Sequence, residues 1–318
     1  MVTTLGFGGG PIGGLRKAVS EAGAAATIAA AWARGIRYFD TAPLYGHGNS
    51  ERRLGEALHD HPRASFTLST KVGRLLRPPS RPDFERHGFV DVPPLEVVYD
   101  YSRDGALRSF EESLDRLRLG APDVVLIHDI DRYTHGDRQP EFFRAALDGA
   151  YRAIADLKAQ GVIRAIGLGV NEAAAAEAFV RQADIDCVLL AGRYTLLEQG
   201  AAETFLPLCV QRNVSVIIGG PYNSGILATG AVPGSHYNYA AAPDAVLHRV
   251  ARLAEVLAPF GVPLATAALH YPLRHPAVAA VIPGMISPDE VAVAADGLQR
   301  PVPEEAWAAL QAAGLLAG

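Results

Sequence analysis

The sequence predicts an α/β protein, a (β/α)8 TIM barrel with long loops at its C-terminal mouth, on three observations. Short β-like runs recur eight times, each followed by helical spacing. Most of these runs are almost wholly apolar, as strands covered on both faces must be. The eight strand–helix units fill about 300 of the 318 residues, and no shift in composition marks a linker. Residues 1–318 therefore read as a single barrel domain.

The strands are expected, in order, at TLGFGG (4–9), IRYFD (36–40), FTLSTK (66–71) and VVLIH (124–128). AIGLGV (165–170), CVLLA (187–191), VSVIIGG (214–220) and VAAVIPG (278–284) complete the set. Between them, Leu107, Phe110, Leu114 and Leu117 step by threes and fours. So do Phe143, Leu147, Ala150, Ile154 and Leu157, which is the periodicity of a helix face. Two long segments break the alternation: Gly73 to Arg103, rich in proline and arginine, and Pro221 to Pro243. Each follows a strand, which places both at the mouth, where a barrel carries its active-site loops.

Composition narrows the function classes. A chain with 49% hydrophobic and 20% charged residues is globular. Its net charge of −5, with both signs interspersed, gives no footprint for nucleic acid and no attraction to an anionic membrane. Two cysteines, Cys187 and Cys209, form neither a disulfide framework nor a zinc spacing, and no secretory signal opens the chain. A cytoplasmic enzyme acting on a small molecule is expected, and nothing in the sequence sets its oligomeric state. His59 with His61, and Asp129 with Asp131, are paired at one-residue spacing but lack a third ligand, so no metal site is expected. The two aspartates read instead as a post-strand turn or a wall of the substrate pocket. The arginines of GRLLRPPSRPDFER (73–86) read as a solvated loop, and Trp32 and Trp307 as packing residues.

The stretch GFGGGPIGG (Gly6 to Gly14) satisfies G-x-G-x-x-G at Gly8, Gly10 and Gly13. A dinucleotide fingerprint needs a helix starting on the third glycine, so that its amides meet the pyrophosphate. Here Pro11 interrupts the loop and helical spacing is delayed until about Glu21. The next acid after the expected position is Asp40, too far along. A tight turn where backbone crosses the barrel mouth is the better reading, with an open Rossmann sheet as the rival architecture.

The sharper signal joins FDTAPLYGHGNSE (39–51), STK (69–71) and LIHD (126–129). Asp40, Lys71 and His128 end the second, third and fourth strands, and Tyr45 lies in the loop after the second. Each alone has an ordinary structural role. On consecutive strand ends of a barrel, however, they converge on one small volume. A phenol with an ordinary pKa near 10 is a poor proton catalyst at neutral pH. A neighbouring ammonium favours its ionised form, and a carboxylate holds that ammonium in place. Tyr45, Lys71 and Asp40 supply these parts, and His128 can orient a substrate oxygen.

This combination resembles the aldo-keto reductase family, whose Asp–Tyr–Lys–His tetrad it matches at Asp40, Tyr45, Lys71 and His128. The resemblance extends over RSFEESLDRL (108–117), GVIRAIGLGVN (161–171), GGPYNSGIL (219–227) and VIPG (281–284). It implies a barrel that binds a nicotinamide cofactor in extended form, without a Rossmann domain. It further implies that Asp40 and Asn171 contact the cofactor. Gly219, Gly220, Pro221, Tyr222, Ser224 and Leu227 would cover its pyrophosphate, with Gly284, Ser287 and Glu290 at the adenosine end. Amides at that last helix start suit an anion.

Three departures from the family pattern matter. Gly219–Gly220 stand where many relatives place an aromatic ring under the nicotinamide, and Ala191 replaces a common glutamine. Gly284 and Glu290 stand where NADPH-selective relatives carry basic residues. A carboxylate repels a 2′-phosphate but accepts a hydrogen bond from a free ribose hydroxyl, so NAD is expected, with NADP as the alternative. Arg249 or Arg252 could supply the missing cation. GGPYNSGIL and RYTLLEQ (193–199) further resemble aldose 1-dehydrogenases acting on L-fucose, L-galactose and related sugars, with pyridoxal 4-dehydrogenases nearby. Oxidation of an aldose at C1 to its lactone is the expected activity. The alternatives are pyridoxal oxidation, NADPH-dependent reduction of an aldehyde or ketone, and a nucleotide-binding regulatory subunit without turnover.

Overall fold

In the computed structural model, which describes residues 2–317, eight strands form one parallel sheet in sequence order. They are β1 (Phe7–Gly8), β2 (Tyr38–Asp40), β3 (Thr67–Val72), β4 (Val124–His128), β5 (Ala165–Val170), β6 (Cys187–Ala191), β7 (Ser215–Gly219) and β8 (Val278–Ile282). Parallel bridges Leu5 to Val281 and Gly8 to Gly284 bring the first strand against the last and close the cylinder. An open Rossmann sheet is thereby overturned.

Two apolar layers explain why this sequence closes. Inside the barrel Tyr38, Leu126, Leu189, Ile217, Ala280 and Ile282 pack on one another. Their neighbours Phe39, Val125, Ile127, Leu168, Val188, Leu190 and Ile218 point outward under the helices. Alternate residues of each strand thus serve opposite faces, both buried, which is why the strands read as unbroken apolar runs. The helix at Glu21–Ala33 starts where Ser20 accepts from the Gly23 amide, and Ser102 caps Arg103–Leu117 through Gly105 in the same way. The spacing from Phe143 to Leu157 is helical throughout, but a π turn at Ala146–Ala150 lies between Gln139–Ala145 and Tyr151–Ala159.

The two mouth segments are more ordered than the sequence predicts. Arg74–Arg77 pairs antiparallel with Glu96–Tyr99, and His236–Tyr237 pairs with Ala240–Ala241. In the first, RLLR and EVVY lack the polar–apolar alternation that marks a strand, and the second has only two residues per strand, so neither hairpin shows in the sequence pattern.

GFGGGPIGG is no phosphate loop. Pro11–Gly13 makes one short turn, and the glycines permit close backbone contact. A Cβ on Gly13 would stand 2.7 Å from the Gly46 amide nitrogen and the Tyr45 carbonyl carbon. The run therefore presses the first loop onto the loop that carries Tyr45.

No single helix among the described residues is long and apolar enough to cross a membrane.

Candidate active site

The register places the predicted polar residues at one end of the cylinder. Asp40 pairs with Ser69, Lys71 with Leu126, and His128 with Gly169, so the ends of β2, β3 and β4 converge. Lys71 is 1% exposed and reaches through the barrel interior. Gly169 makes room for it, since a Cβ there would come within 3.0 Å of Lys71 Cε. The ammonium Nζ donates to Asp40 Oδ2 at 2.7 Å and to the Thr41 carbonyl at 2.8 Å. Ser69 donates to the other Asp40 oxygen at 2.7 Å. Asp40 is thus held on both oxygens, and Ser69 is a partner that no sequence motif singles out.

Tyr45 follows in a tight loop. Its amide bonds the Ala42 carbonyl at 3.0 Å, and Gly46, His47 and Gly48 all take positive φ before the helix Asn49–Leu58 begins. The ring centroid lies 4.7 Å from Lys71 Nζ and 5.8 Å from the His128 ring, edge to face. The structure brings Asp40, Tyr45, Lys71 and His128 into one cluster. Among the described residues none hydrogen-bonds the Tyr45 hydroxyl.

Electrostatics correct one expectation. Lys71 does not leave Tyr45 acidic in the protein alone: burial pushes the phenol well above its ordinary value, and the Asp40 and Asp129 carboxylates push it the same way. Its resting form is the neutral phenol. His128 is held neutral, pushed well below its usual range by burial, then by the Arg74 and Lys71 cations. Burial also raises the Asp40 carboxyl, against the Lys71 ammonium and the Ser69 hydroxyl.

Behind His128 lies a network that sequence reasoning misses. Arg74 reads from sequence as part of a solvated loop, yet it is 3% exposed and pairs with Asp129. The other Asp129 oxygen accepts from Asn171 Nδ2 at 2.9 Å. Asp131 accepts from the Asn171 amide at 2.6 Å and from the Thr134 amide at 3.0 Å. Both aspartates are buried and engaged with protein partners, which takes up the carboxylate oxygens they would need as pocket walls. The signal available in the sequence was RLLR directly after the Lys71 strand, facing two acids directly after His128. A buried ion pair and two solvated charges are spelled alike.

His61 of the other spaced pair stacks on Trp32, with centroids 3.7 Å apart. Trp307 is 3% exposed and packs under the C-terminal helices.

The predicted cofactor loops lie at the same rim. Gly219 ends β7 and Gly220 follows it at positive φ, and a Cβ on Gly219 would meet Leu189 at 2.9 Å. Pro221 and Leu227 are buried, whereas the Tyr222 hydroxyl is buried without a partner among the described residues. Burial, and after it the Glu290 carboxylate, pushes the Tyr222 phenol up. An orphaned hydroxyl beside a bare glycine turn is what a bound polar ligand would complete, so these residues fit a nucleotide. Ser224 accepts from the Tyr239 amide at 2.9 Å, which docks the second hairpin on this loop. Gly284 is exposed at the end of β8, and Ser287 caps the helix Pro288–Gln299. Glu290 accepts from the Ile286 amide at 2.7 Å, while its own amide bonds Ser287 at 3.2 Å. This reciprocal cap occupies two of the amides expected to greet an anion.

A closed barrel of parallel strands with a Lys–Asp pair beside a free phenol defines an oxidoreductase of the aldo-keto type, and the comparisons agree. Residues 4–314 match the Aldo/keto reductase family, and the chain belongs to it. It is therefore an NAD(P)-dependent enzyme. It is 41% identical to the pyridoxal 4-dehydrogenase of Microbacterium luteolum, over 99% of this chain and 95% of that one. To the D-threo-aldose 1-dehydrogenase of a Pseudomonas species it is 37% identical, again over 99% and 95%. An aldo-keto reductase of Bacillus halodurans in its holo form superposes with a TM-score of 0.74. It is 27% identical, with 98% of this chain and 92% of that one covered.

Proposed function

We propose that the protein oxidises a small cyclic hemiacetal to its lactone, taking an aldose such as L-fucose or L-galactose at C1 and passing the hydride to NAD. The observation that carries this reading is the free Tyr45 hydroxyl beside the Lys71–Asp40 pair. All residues from 1 to 318 act as one unit in it, in the cytoplasm.

Oxidation at a hemiacetal carbon removes one hydride and one hydroxyl proton. The nicotinamide supplies the hydride acceptor when bound, held by Asn171, the 219–227 loop and the Gly284–Glu290 segment. The proton goes to Tyr45, which must first release its own proton to solvent because burial holds the resting phenol neutral. Lys71 favours the phenolate this requires, and Asp40 with Ser69 keeps the ammonium aimed. His128, being neutral, can hydrogen-bond the reacting oxygen without contributing a repelling or competing charge. Run in reverse, the same phenol donates its proton to a carbonyl.

A second substrate, pyridoxal, is favoured by the 41% identity to a pyridoxal 4-dehydrogenase, against 37% to the aldose enzyme. Its hemiacetal presents the same carbon to the same residues. A panel of aldoses and pyridoxal, followed by absorbance of the reduced cofactor, separates the two. Lactone formation from at least one of them is expected; turnover confined to carbonyl reduction would contradict the reading.

Preference for NAD rests on the adenosine end. Glu290 and Asp289 stand at the helix start, and two of its amides are already bonded. Arg249 is committed to the carbonyls of Leu196, Leu197 and Leu315, so it is not a free cation for a phosphate. In parallel assays, kcat/KM with NAD should exceed that with NADP by at least about tenfold, equivalent to about 1.4 kcal/mol. Glu290→Gln should narrow the gap. Equal or better values with NADP would overturn the preference.

A further inference from the structure

The buried Arg74–Asp129 pair lies directly behind the site without belonging to the tetrad. Arg74 enters from the first hairpin, three residues beyond Lys71. Its guanidinium carbon stands 5.1 Å from the Tyr99 ring centroid, and its Nε is buried with no partner among the described residues. One Nη meets Asp129, whose oxygens also face two proposed site residues: Asn171 Nδ2 at 2.9 Å and His128 Nε2 at 3.4 Å. Tyr101 fixes the backbone of this turn, its hydroxyl lying 2.6 Å from the carbonyls of both His128 and Asp129. Asp129 itself has φ of 43°, a conformation held by those contacts. A carboxylate buried this deeply needs its cation, and a cation buried this deeply needs its carboxylate.

We propose that Arg74 is a positioning residue for the hydride-transfer site, acting through Asp129 to fix the side chains of Asn171 and His128. This deepens the proposed function and rests on it. Asp129 is one carboxylate with three neighbours. Arg74 decides where it sits, and its position decides the rotamer of the amide expected to hold the cofactor and of the imidazole expected to meet the substrate. The groups that face Asp129 are Arg74 and Tyr99 of the hairpin, Tyr101, and Lys71 of β3. The others are Tyr45, Tyr239 of the second hairpin, the chain neighbours His128 and Asp131, His135 of the next helix, and Asn171 after β5. Burial raises the Asp129 carboxyl to about 6, with Arg74 opposing the shift and Asp131 adding to it. A protonated Asp129 releases its hold on Arg74. Cofactor affinity should therefore fall as pH drops through about 6 and be level across that range in Asp129→Asn.

The test measures the dissociation constant for NAD by calorimetry, kcat and KM with the best substrate, and the thermal midpoint. Four variants are compared: Arg74→Met, Arg74→Lys, Asp129→Asn and the double Arg74→Met/Asp129→Asn. Arg74→Met should raise the NAD dissociation constant and lower kcat by about tenfold each, the scale on which outer-shell partners act. Asp129→Asn should do the same, and the double variant should be no worse than the worse single, because both act through one carboxylate. Arg74→Lys should recover most of the loss, since a single Nη makes the contact and one ammonium can replace it. Values within twofold of the parent for Arg74→Met, multiplying effects in the double variant, or lowered thermal midpoints with unchanged affinity and kcat would overturn the inference. If the parent binds neither NAD nor NADP, the proposed function fails first and this inference with it.

Discussion

Replacing Tyr45 by phenylalanine should lower kcat by about a hundred- to ten-thousand-fold, the range that a general acid–base group supplies. Cofactor affinity and thermal midpoint should stay near the parent's. The separation follows from what the hydroxyl touches: among the described residues it accepts and donates no hydrogen bond, so its removal orphans no partner. The ring remains, and with it the edge contact to His128 and the packing against Phe89, whose centroid is 6.2 Å away. Steady-state assays with saturating cofactor, paired with calorimetry of the binary complex, read both quantities. Turnover within a few-fold of the parent would remove Tyr45 from the chemistry, whatever the rest of the cluster does.

Lys71→Met should be the most damaging single change for fold and activity together. The side chain is 1% exposed, and its ammonium is one of two groups that hold Asp40. Methionine fills the channel beside Gly169 but leaves Asp40 buried with Ser69 alone. Breaking a buried pair on one side costs about 3–5 kcal/mol, because the carboxylate must stay charged without a partner or take up a proton. Burial already raises the Asp40 carboxyl, so protonation is the cheaper route, and the loss should shrink as pH falls. Removing the cation also removes what favours the phenolate, so kcat should fall by about a hundredfold or more. Denaturant unfolding at two pH values and a kcat measurement on the folded fraction check both parts. Asp40→Asn combined with Lys71→Met should recover stability without recovering turnover.

The fold was legible because strand and helix periods alternate eight times despite two long mouth segments, and β4, β5 and β6 lie where the apolar runs place them. β1 and β2 are shorter than their runs because the residues flanking them join the sheet through single bonds rather than a continued ladder. The Gly6 amide bonds the Val281 carbonyl at 2.9 Å, and the Arg37 carbonyl accepts from the Thr67 amide at 2.7 Å. The cluster was legible for a geometric reason: strand ends in a barrel are neighbours, so residues far apart in sequence share a rim. What stayed hidden depended on pairing. Nothing local distinguishes Arg74, 3% exposed, from Arg81 or Arg86 in the same segment, which lie at the surface. Its burial is decided by Asp129, 55 residues on. The protonation state of Tyr45 was hidden for a similar reason. A nearby ammonium is visible as a residue type, but the desolvation that outweighs it is a property of the packed interior.

Everything rests on Tyr45 being the group that takes the substrate proton once the site is loaded. The most direct measurement is the pH dependence of single-turnover cofactor reduction, with NAD saturating, in the parent and in Tyr45→Phe. For oxidation the parent rate should rise with pH through one ionisation and level off, while the residual rate of Tyr45→Phe should show no such step. The same step, at the same pH, in the phenylalanine variant would assign the proton to another group and contradict the account.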